Sequence, residues 1–212
     1  MAIAERIKYP RTKHLPWSQG VSDDDLVIDT IEVFHNLRIV VTEKMDGENT
    51  TLYRDYIHAR SLEPCMHASQ DWVKGFHAGI RHLIPPGWRI CGENLYAHHS
   101  IAYQNLDSYF YIFSIWDEKN TCLGWDETHQ WVQRLNAGIP QVFYNGIWDE
   151  EAIRAIAIDT KSCEGYVVRP FEKFPFDRFD SCVAKFVRGQ HVNSNEHWMH
   201  KKIVPNKLRK QA

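Results

Sequence analysis

The chain has 212 residues, of which 43% are hydrophobic and 25% are charged, and its formal net charge is −2. This balance is typical of a domain with a core of its own, and it excludes collagen, a coiled coil and a wholly disordered chain. No run of about 18 apolar residues occurs, and the polar N-terminus lacks the apolar segment of a secretory signal, so we expect a cytoplasmic protein. Five cysteines without a CxxC pair favour free thiols over a disulfide framework.

The first half of the chain predicts an irregular lead-in, three short strands and a helix. β-Branched and apolar residues cluster in the strands, and apolar positions recur at helical spacing in the helix. The Asp46-Gly47 pair indicates a turn, so the three strands are expected to form an antiparallel meander. The expected bounds are 1–25 for the lead-in, 38–43, 50–53 and 57–60 for the strands, and 70–84 for the helix.

The second half predicts four more strands and two helices. Asp126 is expected to cap the first of these helices, Gly138 to end it, and Asp149 to open the second. The expected bounds are 88–95, 109–116, 163–169 and 182–187 for the strands, and 126–137 and onward from 149 for the helices. Strands that follow one another without regular βαβ alternation predict an α+β fold with mainly antiparallel sheet.

Four charged residues lie within or beside apolar strands, namely Lys44, Glu93, Glu164 and Lys185. A buried charge is costly unless it is paired, bound to a metal or used in chemistry. Two carboxylates and two lysines that face one groove would suit a triphosphate with a divalent cation, because carboxylates hold the metal and lysines meet phosphate oxygens. The alternative is a set of structural salt bridges.

Lys44 is the leading candidate for a nucleophile, since it ends a strand and precedes Met45-Asp46-Gly47. A lysine attacks only after its ammonium has lost a proton, so its pKa has to be lowered. The neighbouring Glu43 and Asp46 instead favour the charged form. A metal ion or Lys185 would therefore have to offset them.

Six short motifs occur in an order that resembles the covalent nucleotidyltransferase superfamily, which comprises polynucleotide ligases and capping guanylyltransferases. Within it, the sequence is most similar to ATP-dependent RNA ligases of the RNA ligase 2 type, over about residues 38–188. The motifs are Glu43-Lys44-Met45-Asp46-Gly47 with Asn49, then Arg60, Cys91-Gly92-Glu93, Tyr111-Ile112-Phe113, Glu164 to Arg169, and Ala184-Lys185.

The resemblance implies a fold and a reaction. The fold is an ATP-grasp-like nucleotidyltransferase core of two packed, mainly antiparallel sheets with flanking helices over residues 1–188, followed by a short basic extension, 189–212. The motif lysine attacks the ATP α-phosphate, AMP then passes to the 5′-phosphate of an RNA end, and a 3′-hydroxyl finally displaces AMP. The implied cofactors are ATP and Mg²⁺ or Mn²⁺.

The resemblance also implies roles for individual residues. The implied catalytic residues are Lys44, Glu93, Glu164 and Lys185, and the implied metal ligands are Glu164 and Glu93. The residues implied to bind the nucleotide are Glu43, Lys44, Arg60, Glu93, Phe113 and Lys185. The residues implied to contact the nucleic acid are Asn49, Arg60, Arg169 and Arg188. Each role has a structural alternative: Phe113 would be a core residue, and the charged residues would form ion pairs.

The sequence departs from the family pattern near its C-terminus. The last motif usually has two lysines one residue apart, and Val183 and Val187 occupy the two candidate positions for the second one. Either Arg188 replaces that lysine or one phosphate contact is lost. Residues 185–212 carry seven of the 25 Lys and Arg residues and one of the 27 acids, which suits contact with phosphates as well as with solvent. Because so short a segment cannot form the C-terminal domain of many relatives, a partner protein that supplies it is one expectation.

Other functions stay open at the level of sequence. They are a small ATP-dependent DNA ligase, a 5′-end adenylyltransferase, and a non-catalytic module that binds nucleotide or RNA ends. GTP capping is disfavoured, since the chain lacks room for the second domain that capping enzymes use. RNA ends are the expected partner, DNA is a second candidate, and no membrane contact is expected.

Overall fold

The computed structural model describes residues 5–62, 64–189 and 203–210. In these residues the chain forms two β-sheets and four α-helices, joined by short 3₁₀ turns. The strands are β1 Lys13–His14, β2 Arg38–Glu43, β3 Glu48–Tyr53, β4 Ile57–Ala59, β5 Arg89–Asn94, β6 Phe110–Trp116, β7 Thr121–Cys122, β8 Val142–Ile147, β9 Gly165–Pro170, β10 Phe174–Pro175 and β11 Ala184–Val187. The helices are α1 Asp71–Ile80, α2 Trp125–Leu135, α3 Glu150–Arg154 and α4 Phe179–Cys182.

The two sheets confirm the predicted α+β fold with mainly antiparallel strands. One sheet has the order β1-β11-β9-β2-β8 and the other the order β10-β7-β6-β5-β3-β4. All pairings are antiparallel except that of β1 with β11. Among the described residues, no helix is long and apolar enough to cross a membrane.

Hydrophobic residues bury both outer faces of the sheets under helices and loops. Helices α1 and α2 cover the six-stranded sheet, where Val73 and Val132 pack with Ile112. The five-stranded sheet is covered by α3 and by the N-terminal segment, whose Leu15 is fully buried. The inner faces meet through a third cluster, which fixes the spacing between the sheets.

The predicted three-stranded meander is wrong, because β2 belongs to one sheet and β3 and β4 to the other. Asp46-Gly47 is not a hairpin turn but part of the crossing from sheet to sheet. At this crossing the Lys44 amide donates to the Gly165 carbonyl of the five-stranded sheet, at 2.9 Å. Gly47 meanwhile passes so close to Asn94 of the six-stranded sheet that a Cβ would collide with its carbonyl. The motif around Lys44 therefore lies where both sheets meet.

Helix ends differ from the sequence prediction for local reasons. Helix α2 is capped by Gly124, whose amide donates to Glu127, rather than by Asp126. Its C-cap is Asn136, which takes the left-handed conformation at φ 51°. Gly138 is not the C-cap: it lies against the Tyr111 ring, where a side chain would not fit. The cap at Asp149 is confirmed, since its carboxylate accepts from the Ala152 amide.

Three further elements depart from the predictions. Helix α1 ends at Ile80 and continues as a 3₁₀ turn, although helical spacing continues to residue 84. Cys182 belongs to α4 rather than to the last strand. Strand β8 is absent from the sequence prediction, and it pairs with β2 as the edge of its sheet.

The basic extension is partly described. Residues 203–210 run along the segment between β5 and β6, where Asn206 Nδ2 donates to the Leu95 carbonyl at 2.8 Å. The Tyr103 amide donates in turn to Asn206 Oδ1 at 2.9 Å. This part of the extension is thus packed against the domain. The rest of it, 190–202 and 211–212, lies outside the described residues.

The Gly165→Ala substitution is expected to lower the free energy of unfolding by about 3 kcal/mol, because the added Cβ would collide with the Phe186 carbonyl and separate β9 from β11. Gly75→Ala is the matched control. Gly75 lies in α1, and a Cβ added there would meet open space, so this substitution should raise the free energy by roughly 0.5 kcal/mol. Urea unfolding measures both; equal effects would contradict the close approach at Gly165.

Candidate active site

A cleft of about 540 Å³ lies between the two sheets, beside the crossing at Lys44. It brings together most of the residues that the sequence singled out, although they come from six different segments of the chain. Those that line it are Glu43, Lys44, Asn49, Arg60, Glu93, Phe113, Arg169 and Lys185. Glu164 joins them through direct contact with Lys44.

Lys44 and Glu164 form the central ion pair of the cleft. Lys44 Nζ donates to Glu164 Oε2 at 2.5 Å, and the Glu164 side chain is 8% exposed. The two residues lie at the ends of β2 and β9, whose pairing brings Glu43 opposite Tyr166. Antiparallel pairing therefore sets this contact, across 120 residues of sequence.

The charges around Lys44 keep it protonated. Burial by itself lowers the pKa of Lys44, but the carboxylates of Glu164, Glu93 and Asp46 outweigh burial and raise the pKa above its ordinary value. Of the two neighbours expected to favour the charged form, Glu43 and Asp46, Asp46 does so; the larger effects come from Glu164 and Glu93, which are remote in sequence. As a nucleophile, Lys44 would need these negative charges to be neutralised.

Glu93 lies in β5 opposite Asn49 of β3, on the six-stranded side of the cleft. Burial raises the pKa of Glu93 to about 8, although the Lys44 ammonium opposes this shift. The nearby charges of Glu164 and Asp46 raise it further. The surroundings of Glu93 thus disfavour its ionised form, and a cation bound beside it would favour that form.

Glu164 and Glu93 could bind a divalent metal together with the phosphates of a ligand. Among the described residues, no three or more His, Cys, Asp or Glu side chains form a ready-made metal cluster. Mg²⁺, however, is usually held by one or two carboxylates together with waters and substrate phosphates. Glu164 and Glu93 fit that mode, since both lie beside Lys44 in the cleft. A metal there would complete its shell with oxygen atoms of a bound phosphate.

Asp46 has a structural role that the sequence did not indicate. Its Oδ2 accepts three hydrogen bonds, from the Ser100 amide, the Ser100 hydroxyl and the Ile101 amide, at 2.8, 2.7 and 2.8 Å. These bonds lower the pKa of Asp46 although burial opposes them. Asp46 therefore fastens the loop after β5 to the crossing that carries Lys44.

Lys185 reaches the cleft from β11, where it pairs with Val167 of β9. Its Nζ lies 3.7 Å from Asp25 Oδ1, and the other oxygen of Asp25 lies 3.4 Å from His14 Nε2. Burial and the charges of Lys44 and Arg60 lower the pKa of Lys185, whereas Asp25 and Glu164 oppose that shift. Asp25 and His14 thus hold Lys185 from the N-terminal side, and neither was a predicted site residue.

Phe113 lines the cleft from β6, and Val167 lines it from β9 of the opposite sheet. The Tyr9 ring lies edge-on to Phe113 with the ring centroids 5.2 Å apart, and it makes a similar contact with Phe179. The Tyr9 hydroxyl is buried beside Ser114, and this burial raises its pKa. The predicted lead-in therefore supplies one wall of an aromatic pocket, which a search for regular elements could not reveal.

Arg60 and Asn49 lie together on the six-stranded side. The Arg60 amide donates to the Asn49 carbonyl at 3.1 Å, and Arg60 Nε donates to the Tyr9 carbonyl at 3.4 Å. Asn49 Oδ1 is buried and accepts no hydrogen bond from the described residues. Burying an acceptor without a hydrogen bond costs free energy, so a ligand that donates a hydrogen bond to Asn49 Oδ1 would bind more tightly.

Arg169 and Arg188, the two arginines expected to contact the nucleic acid, both donate hydrogen bonds within the protein. The Arg169 guanidinium is buried and donates to the carbonyls of Phe113 and Leu123, at 2.9 and 2.7 Å. It clamps β9 to the other sheet and positions Phe113. Arg188 Nε donates to the Cys163 carbonyl at 3.1 Å, and Arg188 is not among the residues that line the cleft. That Arg188 replaces a second lysine stays a prediction.

The fold and this cleft define the nucleotidyltransferase core of ATP-dependent ligases. The family model for RNA ligase matches residues 37–187, and the chain belongs to this family. The expected family and fold are thereby confirmed. No curated protein sequence matches the chain.

Solved structures share the fold at low sequence identity. A Naegleria gruberi RNA ligase with PPi is 21% identical, has a TM-score of 0.56, and covers 87% of this chain and 61% of its own. A variant of that ligase with ATP and Mn is 20% identical, with the same TM-score and coverage. A putative ATP-dependent DNA ligase from Aquifex aeolicus is 16% identical, has a TM-score of 0.51, and covers 73% of this chain and 44% of its own. The chain thus spans between about half and three fifths of the Naegleria ligase chains.

Asp46→Ala is expected to lower the free energy of unfolding by about 3 kcal/mol, because it removes three hydrogen bonds to one carboxylate oxygen. Ser100→Ala removes only the hydroxyl donor and should lower it by about 1 kcal/mol. Urea unfolding of both variants measures the difference. If the two variants were equally stable, Asp46 would not be the anchor of this loop.

The Glu43→Gln substitution tests the buried carboxyl next to Lys44. Burial raises the pKa of Glu43 to about 7. As the pH rises, the unfolded chain therefore loses this proton at a lower pH than the folded chain does. The free energy of unfolding of wild type falls between the ordinary pKa of a glutamate and pH 7. The free energy of unfolding of Glu43→Gln, relative to that of wild type, should increase by about 2 kcal/mol from pH 5 to pH 7.5. Urea unfolding at both pH values measures this difference. The exposed Glu172→Gln should show no such trend; a trend shared by both would contradict the assignment.

Proposed function

We propose that this chain is the adenylylating domain of an ATP-dependent RNA ligase, which seals 5′-phosphate and 3′-hydroxyl ends through a lysyl-AMP and an RNA-adenylate intermediate. The observation that carries the proposal is the Lys44–Glu164 contact of 2.5 Å inside a cleft large enough for a nucleotide. Family membership supports it, as do the Naegleria ligase structures with ATP and Mn or with PPi.

Lys44 is the nucleophile of the first step. Its Nζ forms a bond to the α-phosphorus of ATP while the bond from that phosphorus to the bridging oxygen breaks, and pyrophosphate leaves with the oxygen. Nζ has to lose a proton before it attacks. Glu164 Oε2 already accepts a hydrogen bond from Nζ, so it is the nearest acceptor of that proton.

The carboxylates that hold the proton on Lys44 also make the step depend on a cation. Glu164 and Glu93 are the residues that would bind Mg²⁺ or Mn²⁺. Such a cation supplies positive charge, which offsets both the carboxylates around Lys44 and the phosphates of ATP. Lys185, held by Asp25, contributes a further positive charge at the cleft for phosphate oxygens.

The aromatic pocket suits the adenine base. Phe113 and Val167 face the cleft from opposite sheets, and a flat base between them would stack on the Phe113 ring. Glu43 lies at the end of β2 on the same cleft, where its carboxyl group can accept from the adenine amino group. Asn49 Oδ1, buried and unpaired among the described residues, offers an acceptor to a hydroxyl of the bound ligand.

The remaining alternative functions differ in the covalent product that each would form. A DNA ligase would transfer AMP to DNA ends, and a 5′-end adenylyltransferase would stop at the adenylated end. A module that only binds nucleotide would form no covalent adduct. Membership of the RNA ligase family favours RNA sealing, and Glu164 next to Lys44 favours chemistry over binding alone.

Intact mass after incubation with ATP and Mg²⁺ tests the first step. Purified protein is first treated with pyrophosphate to remove AMP already bound. Wild type should gain one adenylate, and Lys44→Ala should form less than about 1% of that adduct, because the nucleophile is gone. Lys44→Arg is the sharper variant: it keeps a cation beside Glu164 but cannot lose its proton.

The exposed Lys119→Ala serves as the control and should form the adduct at the wild-type rate. An adduct that persists in Lys44→Arg would place the nucleophile elsewhere. If wild type formed no adduct with either Mg²⁺ or Mn²⁺, the chain would be a binding module, and the ligase proposal would fail.

A further inference from the structure

The crossing that carries Lys44 is held from both sides by backbone hydrogen bonds. The Lys44 amide donates to the Gly165 carbonyl of the five-stranded sheet at 2.9 Å. Two residues further on, the Asp46 amide donates to the Tyr103 hydroxyl, also at 2.9 Å. Met45 between them is buried in a hydrophobic cluster against which the Tyr103 ring packs. Tyr103 therefore contacts both residues that directly follow the nucleophile.

Tyr103 lies in the loop between β5 and β6, close to the active site but outside the described lining of the cleft. Burial raises the pKa of Tyr103, and the nearby charges of Glu43, Asp46 and Glu164 raise it further. The hydroxyl thus stays neutral and lies near the carboxylates that surround Lys44. A group in this position can influence the reaction through the residues that it holds rather than by contact with the nucleotide.

The C-terminal extension fixes the backbone of Tyr103 at both of its polar groups. The Tyr103 amide donates to Asn206 Oδ1 at 2.9 Å, and the Lys207 amide donates to the Tyr103 carbonyl at 3.0 Å. Asn206 is 3% exposed, and its Nδ2 donates to the carbonyls of Leu95 and Ala97 at 2.8 and 3.4 Å. One buried amide side chain therefore ties Tyr103 to the end of β5.

We propose that Tyr103 and Asn206 are positioning residues for Lys44 in the formation of lysyl-AMP, an assignment that rests on the proposed ligase function. Asn206 holds the Tyr103 backbone, and the Tyr103 hydroxyl holds the Asp46 amide, two residues after Lys44. Attack on a phosphorus atom requires the nucleophile at about 3–3.5 Å and in line, and a displacement of about 1 Å can slow a reaction roughly a hundredfold. The extension is thereby assigned a part in the first chemical step, besides any contact of its charges with phosphates.

Amide hydrogen exchange, followed by NMR on the full chain, tests the hydrogen bond itself and needs no ATP. In wild type the amides of Lys44 and Asp46 should both be protected from exchange. Tyr103→Phe removes the acceptor of the Asp46 amide, so exchange at Asp46 should become about tenfold faster. The Lys44 amide should stay protected, because its acceptor is Gly165. Unchanged exchange at Asp46 in this variant would contradict the proposal.

Tyr53→Phe is the matched control. The Tyr53 hydroxyl accepts from the Ile7 amide at 2.9 Å, so this variant removes a hydrogen bond of the same kind and length. It should leave exchange at Asp46 at the wild-type rate. Faster exchange at Asp46 in both variants would show a general loosening of the fold and would also contradict the specific role of Tyr103.

The rate of lysyl-AMP formation tests the role in the reaction. At saturating ATP, Tyr103→Phe should form the adduct about tenfold more slowly, while the ATP concentration for half-maximal rate stays within about twofold of wild type. The final amount of adduct per protein is measured alongside, because a merely structural role would lower this amount and leave the rate constant unchanged. Tyr53→Phe should keep the wild-type rate. Absence of an adduct in wild type would overturn the proposed ligase function, whereas a wild-type rate in Tyr103→Phe would overturn only the positioning role.

A double-mutant cycle tests whether Asn206 acts through Tyr103. Asn206→Ala should also slow adduct formation at saturating ATP, and the double variant with Tyr103→Phe should be no slower than the slower single variant. Arg209→Gln removes an exposed cation from the same extension and should keep the wild-type rate. Effects that multiply in the double variant would exclude Asn206 from the proposal, as would an equal loss of rate in Arg209→Gln.

Discussion

The ion pair of Lys44 and Glu164 joins the ends of two neighbouring strands at the point where the chain crosses from one sheet to the other. A buried pair of charges is stable only if both partners are held in place and the surrounding dipoles and charges compensate for lost hydration. Much of the described structure serves that requirement. Strand pairing fixes the backbone on both sides, and Glu93 adds a second carboxylate from the other sheet.

The crossing at Lys44 is also fastened to the periphery of the domain. Asp46 holds the loop that follows β5, and this loop lies in the segment that packs against Asn206 of the C-terminal extension. Motif, loop and extension are therefore connected by hydrogen bonds over a long stretch of sequence.

The N-terminal segment completes the site as a third wall. It places Tyr9 against Phe113 and Asp25 against Lys185. Neither Tyr9 nor Asp25 belongs to a strand or a helix. Their positions follow instead from the parallel pairing of β1 with β11 and from burial of Leu15 in the core. A short strand thus anchors this segment to the five-stranded sheet.

The order of motifs along the sequence determined the family, the α+β fold and most residues of the cleft, because each motif combines a strand pattern with a charged residue that packing alone does not explain. Tertiary structure decided the rest. That β2 and β3 separate into different sheets depends on contacts of Lys44 and Gly47 with Gly165 and Asn94, which are remote in sequence. The same holds for Arg169, whose motif position indicated a substrate contact, while its buried guanidinium joins the two sheets. Local sequence specifies which residues are strand-forming or charged, but only the packing of distant segments decides which partner each charge meets.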